Sequence, residues 1–148
     1  MRISAKGRYA LAAVTNMAQQ HDSGECITVI SISERLGISK IYLEQVFSML
    51  KRGDIVRSVK GAQGGYQLVR TPDRITVLDV LSAVENSLFE AVEDTVPEKA
   101  PEIEAAMRSS VFDAMDKAIS GTLSRITLED LVVEADKHKG GQAIMYYI

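Results

Sequence analysis

Residues 28–70 constrain the fold more strongly than any other part of the chain, because two helical patterns and a hairpin follow one another there. The first helix is predicted over Thr28–Leu36, and Gly37 follows it, where a positive φ can end a helix. Ser39 can cap a second helix that runs to about Arg52. The apolar face of this second helix has a residue at each expected position: Leu43, Val46, Phe47 and Leu50. Two β-type runs, over 55–60 and 66–69, flank the glycine-rich residues 61–65.

This order of elements predicts a winged helix-turn-helix, so the fold class is mainly α with a small β-hairpin wing. The sequence allows two starts for the first helix, since Thr28 can cap it but Ser31 with Glu34 forms an alternative capping box. A plain pair of helices packed on a hairpin is the competing interpretation. In a winged helix-turn-helix, the second helix enters the major groove of DNA and the hairpin lies along the adjacent backbone or minor groove.

The polar face of the second helix and the hairpin supply the candidate contacts to DNA. Polar side chains at Lys40, Tyr42, Glu44, Gln45 and Ser48 are predicted to lie opposite the apolar stripe. Arg57 and Lys60 on the hairpin suit phosphates or the negative minor groove. Lys6 and Arg8, near the start of a helix predicted over 4–20, are either phosphate contacts or solvated charges.

Charge is distributed unevenly along the chain. Residues 1–70 hold ten Lys and Arg against five Asp and Glu, whereas residues 71–148 hold seven against fifteen. The formal net charge of −3 therefore hides a basic first half, which favours a nucleic-acid interface there.

The glycine-rich residues 61–65 also raise the possibility of a nucleotide-binding loop. Such a loop leads from a strand into a helix and, in its Walker form, is followed by Lys and then Ser or Thr. Here the loop joins two strands and Tyr66 follows. The sequence therefore predicts a wing turn, whose glycines would let the backbone approach DNA closely.

The second half of the chain is predicted to serve assembly. Thr76 with Asp79 opens one helix, residues 86–101 form an acidic linker, and residues 102–124 carry the longest helical pattern. The apolar stripe of that pattern includes Ile103, Met107, Val111, Met115 and Ile119, which suits a dimer interface or an intramolecular helix pair. A last short helix starts at Thr127 and is predicted to break at 138–141. The predicted domains are thus 1–85 (winged helix-turn-helix), 86–101 (linker), 102–136 (dimerisation helices) and 137–148 (tail).

Several classes of protein are disfavoured by composition. No run approaches the ~18 apolar residues of a membrane span, and no signal-peptide pattern is present. We therefore expect a cytoplasmic protein that does not associate with a membrane. No metal-spaced cluster and no nucleophile with a base supports an enzyme. The single cysteine, Cys26, follows Glu25 and is predicted to be a small buried hydrophobe, with a redox sensor as the alternative.

Three motifs, in order, resemble the Rrf2 family of bacterial winged-helix regulators. They are the opening Ser4-Ala5-Lys6-Gly7-Arg8-Tyr9-Ala10, then Ile38-Ser39 with Tyr42-Leu43-Glu44-Gln45, then Val59-Lys60-Gly61-Ala62-Gln63-Gly64-Gly65-Tyr66. The resemblance covers essentially the whole chain. It implies a homodimeric transcription regulator, with repression expected, that reads a pseudo-palindromic operator in double-stranded DNA. A winged-helix scaffold that binds only proteins is the alternative.

The resemblance also implies roles for individual residues. Base reading falls on Ser39, Tyr42 and Glu44, and the minor-groove position of the wing falls on Lys60, where the iron–sulfur branch carries arginine. The candidate DNA-binding residues are Lys6, Arg8, Ser39, Lys40, Tyr42, Glu44, Gln45, Arg57, Lys60, Gly61, Gln63, Gly64, Gly65 and Tyr66. The cluster-binding members carry three cysteines in the linker, and this chain has none there, so no iron–sulfur cluster or other metal cofactor is expected.

The end of the chain is unusually apolar. It reads Ile144-Met145-Tyr146-Tyr147-Ile148, and one interpretation is that it folds back as an edge strand or packs on the dimer core. Regulators of the cluster-free, cysteine-metabolism branch end similarly and use O-acetylserine thiol-lyase (cysteine synthase) as a co-repressor. The resemblance therefore implies that Tyr146, Tyr147 and Ile148 dock in that enzyme.

Overall fold

Seven helices and one short hairpin make up the part of the chain that this computed structural model describes, which is residues 3–61 and 64–147, with side chains to residue 140. The helices are α1 (Ala5–Gln19), α2 (Val29–Leu36), α3 (Lys40–Arg52), α4 (Val77–Val84), α5 (Pro101–Met107), α6 (Asp113–Ser124) and α7 (Leu128–Tyr147). Strands β1 (Val56–Ser58) and β2 (Tyr66–Leu68) pair antiparallel. The predicted fold class, mainly helical with a small hairpin, is confirmed.

The helix-turn-helix is fixed by local signals that the sequence carries. Thr28, and not the alternative box at Ser31, caps α2, because its side chain accepts a hydrogen bond from the N–H of Ser31 at 3.1 Å. Gly37 ends α2 with a φ of 68°. The hydroxyl of Ser33 donates to the carbonyl of Ile38 at 2.6 Å, which ties the end of α2 to the start of α3.

The hydrophobic core lies beneath α3. The four stripe residues of α3 are fully buried, as are Ile32 of α2 and Val80 of α4. They pack against a buried stripe of α1: Ala10, Ala13, Val14 and Met17. Because one face of α3 is buried here, its opposite face must point to solvent.

The wing is anchored to the core by Tyr66. The paired segments are shorter than the predicted runs of 55–60 and 66–69, with Val56 opposite Leu68 and Ser58 opposite Tyr66. Tyr66 also forms a bridge with Ile27, whose N–H donates to the Tyr66 carbonyl at 2.9 Å. The ring centroids of Tyr66 and of Phe47 in α3 lie 4.7 Å apart, so the hairpin packs directly against α3.

A second unit of the fold joins the starts of α4 and α7. Thr76 and Thr127 form an antiparallel bridge, and each opens its helix with a capping box. In the box of α4, the Thr76 hydroxyl accepts from the N–H of Asp79 at 3.1 Å, and the Asp79 carboxylate accepts from the N–H of Thr76 at 2.9 Å. The start predicted at Thr76 is therefore correct.

The predicted long helical segment over 102–124 is interrupted by a π-helical turn. Arg108–Phe112 has π geometry between α5 and α6, and the sequence pattern gave no indication of it. No apolar side chain of 101–124 is buried, and Ile103, Val111 and Met115 are about half exposed. This segment lies outside the core of its own chain.

The predicted end of the last helix at 138–141 is wrong. Helix α7 continues through Gly140 and Gly141 to Tyr147. Each glycine in a helix costs about 1 kcal/mol relative to alanine, but it ends the helix only where it takes a left-handed conformation, and Gly140 does not. The expectation of an edge strand at the end of the chain is wrong for Tyr146 and Tyr147, which are helical, while Ile148 lies outside the described residues.

Candidate nucleic-acid interface

The solvent-facing stripe of α3 is the first part of the interface. Ile41, Glu44, Gln45 and Ser48 are all exposed, and their spacing of i, i+3, i+4 and i+7 places them in one row. Ser39 caps this helix through a long hydrogen bond, 3.5 Å, from the N–H of Tyr42. The row begins in the first turn of the helix, which is the part of a recognition helix that meets base edges.

An ion pair joins two of the predicted DNA-binding residues on α3. The Lys40 ammonium lies 3.8 Å from the Glu44 carboxylate, and both side chains are about half exposed. An exposed pair at i and i+4 contributes about 0.3–0.5 kcal/mol. Both groups can therefore be released to other partners at little cost.

Tyr42 does not lie on the exposed row, in contrast to its predicted position on the polar face. It is half-buried, and its ring packs edge-on against Tyr9 of α1 with the ring centroids 5.0 Å apart. The sequence pattern could not reveal this, because the contact joins residues 33 positions apart in the chain. Tyr42 therefore also fixes α3 relative to α1.

The tip of the wing is the second part of the interface. Lys60 and Gly61 are exposed, and Gln63 lies outside the described residues. Gly64 has a φ of 56° and Gly65 a φ of 128°, so both glycines occupy backbone regions that suit glycine. The carbonyl of Gly65 accepts from the N–H of Val59 at 2.9 Å, which closes the two sides of the wing.

The wing base and the starts of α2 and α3 meet in one cleft. This cleft, of about 450 Å³, is lined by Thr28, Val29, Ile30, Lys40, Gly65 and Tyr66. Lys40 at the start of α3 therefore borders the same cleft as Gly65 and Tyr66 at the base of the wing. A protein that contacts a groove and its flanking backbone requires such neighbouring surfaces.

Arg57 lies away from the wing tip and contacts different residues from Lys60. Its guanidinium donates to the Gln67 side chain at 3.2 Å, and the Gln67 amide donates to the carbonyl of Gly24 at 3.3 Å. Arg57 also lines a cavity of about 260 Å³ with His21. It lies in the middle of β1, so it is set back from the tip that carries Lys60.

The predicted contacts at the start of α1 differ in exposure. Arg8 is exposed, and its guanidinium donates to the carbonyl of Ile3 at 3.1 Å, whereas Lys6 is half-buried. Between them, Gly7 lies against the Glu85 carboxylate, which accepts hydrogen bonds from the N–H of Ser4 at 2.9 Å and from its hydroxyl at 2.6 Å. A Cβ at Gly7 would have to displace the Glu85 carboxylate and the Ile3 side chain from this contact.

Cys26 lies beside the wing. It is half-buried and lines a cleft of about 480 Å³ together with Glu25, Lys60 and Gly64. The sequence showed only the adjacent Glu25, and the contribution of the wing lysine to the same cleft could not be read from it. The expectation of a fully buried thiol is thus only partly met.

Glu104 is a charged residue whose role the sequence pattern did not reveal. It is buried, and its carboxylate accepts from the N–H of Val96 at 2.9 Å and from that of Thr95 at 3.0 Å. These hydrogen bonds lower the pKa of Glu104 below its usual value, against the opposing effect of burial, and Arg108 lowers it further. Arg108 also bonds Asp94 at 2.8 Å, so the predicted acidic linker is tied to α5.

The chain is similar to known transcriptional regulators. The family model for Rrf2, described as an iron-dependent transcriptional regulator, matches residues 3–134. The HTH-type transcriptional regulator CymR of Bacillus subtilis (strain 168) is 35% identical over 150 aligned positions, which cover 100% of both chains.

Two solved structures are similar in fold as well as sequence. One is described as CymR, the global cysteine regulator of B. subtilis; it has a TM-score of 0.72 and 33% identity, and the match covers 90% of this chain and 98% of that one. The other is IscR of T. potens, with a TM-score of 0.74, 34% identity, and coverage of 99% of this chain and 97% of that one.

The description of the family as iron-dependent raises the question of a metal site. Iron–sulfur clusters are held mainly by cysteine thiolates, and this chain has one cysteine, Cys26, and two histidines, His21 and His138. Among the residues that the structure describes, no group of three or more His, Cys, Asp or Glu side chains could hold a metal ion. This donor set does not fit an iron–sulfur cluster. Within the same described residues, no helix has the length and apolar character needed to cross a bilayer.

Proposed function

The chain belongs to the Rrf2 family of transcriptional regulators and is not an enzyme, and from that premise we propose that it binds a pseudo-palindromic DNA operator as a homodimer. The observation that carries this proposal is the exposed row of α3 together with the cleft that Lys40, at the start of α3, shares with the base of the wing. Glu44 and Gln45 of the row present groups that discriminate bases, since a carboxylate accepts from cytosine N4 and an amide bonds adenine at two atoms.

The wing and the start of α1 would supply contacts to the DNA backbone. Lys60 and Gly61 are exposed at the tip, and Arg8 is exposed on α1. Lysine provides a point charge without the planar fork of arginine, so Lys60 would favour the negative minor groove without reading a base. These residues would raise the affinity for DNA and fix the position of the protein along the duplex.

The exposed apolar side chains of residues 101–124 support the proposed dimerisation. A helical segment that buries no apolar side chain gains too little from its own chain to be stable in water, because packing supplies most helical stability. A second copy would cover Ile103, Met107, Val111, Met115 and Ile119. Two recognition helices related by this two-fold axis would read half-sites separated by about one turn of DNA, ~34 Å, or a multiple of it.

The test is selection of bound sequences from random duplexes, followed by titration of the enriched operator at several salt concentrations. We expect an inverted repeat, and an affinity that falls steeply with salt because phosphate contacts release counterions. A scrambled duplex of equal length is the control. Equal affinity for both duplexes, or no binding to either, would favour the alternative of a scaffold that binds only proteins.

Control of cysteine or sulfur metabolism is the finer part of the proposal. Its support is the description of the similar CymR structure as a cysteine regulator, together with the apolar end of the chain. A terminal carboxylate on Ile148, with Tyr146 and Tyr147 before it, suits a pocket that captures a chain end. Cysteine synthase is the proposed receptor, with O-acetylserine as competitor. Since α7 runs to Tyr147, its last turn would unwind to enter such a pocket, and Gly140 and Gly141 make the end of this helix easier to unwind.

Calorimetry with the cognate cysteine synthase tests this part. We expect binding that O-acetylserine weakens and that is lost when Ile148 is removed or its carboxylate is amidated. The shortened regulator should still dimerise and bind its operator, which controls for misfolding. Undiminished binding after removal of Ile148 would contradict the role of the tail.

We propose further that DNA binding needs no iron–sulfur cluster. The single thiol of Cys26 cannot supply a full set of cluster ligands. Protein purified without oxygen should be colourless and free of stoichiometric iron, and chelators should leave operator affinity unchanged. One cluster per chain would contradict this proposal.

A further inference from the structure

Ile41 is the most exposed of the large apolar side chains in the described part of the chain. It is 71% exposed, although it sits in the first turn of α3, one residue after the helix begins. The other α3 residues in its row, Glu44, Gln45 and Ser48, are polar. A single β-branched aliphatic side chain therefore lies at the N-terminal end of the polar row.

Isolated apolar residues are common on protein surfaces, so exposure alone assigns no role to Ile41. The position of Ile41 in α3 gives a stronger reason to expect a role. Residues in the first turn of a recognition helix contact base edges, and Ile41 shares the row with Glu44 and Gln45, the two side chains suited to hydrogen-bond bases. Any DNA that lies against this row brings Ile41 into the groove with them.

The chemistry of the major groove limits what Ile41 can recognise there. Base edges present hydrogen-bond donors and acceptors, which an isoleucine cannot satisfy, and thymine alone of the four bases presents an apolar group, its 5-methyl. An adjacent guanine or cytosine edge would lose water without gaining a partner. Ile41 would thus favour thymine and disfavour bases with polar groups at that place.

We propose that Ile41 is a specificity-determining residue that packs against the 5-methyl group of one thymine in each operator half-site. The inference rests on the proposed function, since it takes α3 to be the recognition helix. The neighbouring charges agree with it. Lys40 and Glu44 form a half-exposed pair beside Ile41, so their release to a phosphate and a base leaves Ile41 between two polar contacts.

The experiment removes the methyl group alone. In the operator found by selection, each thymine is replaced in turn, symmetrically in both half-sites, by deoxyuridine, and the Kd is measured for the unmodified protein and for Ile41→Ala. At one position we expect deoxyuridine to weaken binding of the unmodified protein about fourfold per half-site, which corresponds to the loss of one buried methyl group. For a dimer bound to two half-sites, the expected loss is about fifteenfold. Ile41→Ala should bind thymine and deoxyuridine there within about twofold of each other, because its methyl partner is gone.

Val133→Ala is the control. Val133 is 44% exposed on α7 and lies neither in the row nor in the cleft beside the wing, so its replacement should leave the deoxyuridine effect unchanged. Both variants should melt at the temperature of the unmodified protein, since neither side chain is in the core.

Several outcomes would overturn the inference, and they are distinguishable. If the operator binds but no thymine is sensitive, or if Ile41→Ala keeps the full sensitivity, Ile41 does not read a methyl group while the proposed function stands. If Ile41→Ala instead weakens self-association, its occupant is a second copy of the chain. If no sequence is preferred at all, the proposed function fails and the inference fails with it.

Discussion

Lys40 holds Glu44 across one turn of α3, with its ammonium nitrogen 3.8 Å from a carboxylate oxygen. In the free protein this pair partly neutralises a carboxylate on the surface that would face DNA. Because the pair is half exposed, separating it costs only about 0.3–0.5 kcal/mol. Operator binding can then direct Lys40 to a phosphate and Glu44 to a base, so the two residues have different predicted effects.

Glu44→Ala should change which operator is preferred. A carboxylate accepts from cytosine N4 and repels bases that present acceptors, so its loss should relax discrimination at one position by about 1–3 kcal/mol. Lys40→Ala should weaken all sequences to a similar extent and reduce the salt slope by about one unit. Selection from random duplexes, repeated with each variant, measures both effects.

Glu34→Ala is the charge-matched control for this comparison. Glu34 is exposed on α2, outside the row, so its removal makes the same change in net charge without touching the reading surface. An unchanged sequence preference in Glu44→Ala, or the same relaxation in Glu34→Ala, would show that α3 has been assigned the wrong reading face.

Gly65→Ala should destabilise the wing, and Gly61→Ala should not. Gly65 has a φ of 128°, and a Cβ there would lie 2.9 Å from the carbonyl oxygen of Ile27, a backbone atom that cannot move aside easily. Strain and overpacking together should lower the free energy of unfolding by about 1–3 kcal/mol. Among the described residues, no atom beyond the neighbours of Gly61 in the chain lies within 4 Å of a Cβ built on Gly61. Urea unfolding of both variants tests this difference, and equal midpoints would contradict it.

Local signals explain why much of the interface could be predicted from the sequence. The caps at Thr28, Ser39 and Thr76 act within three residues of themselves, so a short window of sequence contains all the groups involved. The burial of the α3 stripe follows from periodicity alone. The position and the buried face of α3 could therefore be predicted from the sequence, and its role in reading DNA stays a prediction.

The errors arose where distant parts of the chain decide the outcome. Tyr42 is turned towards α1 by Tyr9, and Glu104 is buried because the linker folds over it. Neither contact leaves a periodic trace in the sequence. The composition at Gly140 and Gly141 predicts a helix end, but α7 continues through them. Ile41 is absent from the predicted polar face because it is apolar, although its spacing to Glu44 and Gln45 places it in the same row.

Val111→Lys combined with Met115→Lys should convert the dimer to a monomer. Both residues are about half exposed in the single chain, so the variant should fold. A dimer would bury four added lysines, two from each copy, and at about 1 kcal/mol for each the dimer would dissociate about a thousandfold more readily. Sedimentation measures the change in mass.

Asp116→Lys on the same helix is the control for added positive charge. Asp116 is exposed and does not belong to the apolar stripe, so this variant should remain dimeric. A dimer that persists in the double variant would mean that another surface holds the two copies together.

Glu104→Gln should destabilise the protein at neutral pH but not in acid. Hydrogen bonds from the N–H groups of Val96 and Thr95 lower the pKa of the Glu104 carboxyl below the ordinary 4.5, and Arg108 adds to the effect. A carboxyl whose pKa is lower in the folded state stabilises the fold above its unfolded pKa, and this contribution is lost as the pH falls through the folded pKa. The melting temperatures of the two proteins should therefore differ at pH 7 and converge as the pH falls below 4.5 and through the lower folded pKa of Glu104.

Glu102→Gln separates this linkage from a general effect of charge at the start of α5. Glu102 and Glu104 both lie in the first turn, where a negative charge favours the helix, but Glu102 is exposed. Its replacement should lower the melting temperature much less at pH 7. Thermal melts of the three proteins between pH 3 and pH 7 measure both effects, and a difference for Glu104→Gln that stays constant over this range would mean that packing, and not the ionised carboxylate, holds the linker on α5.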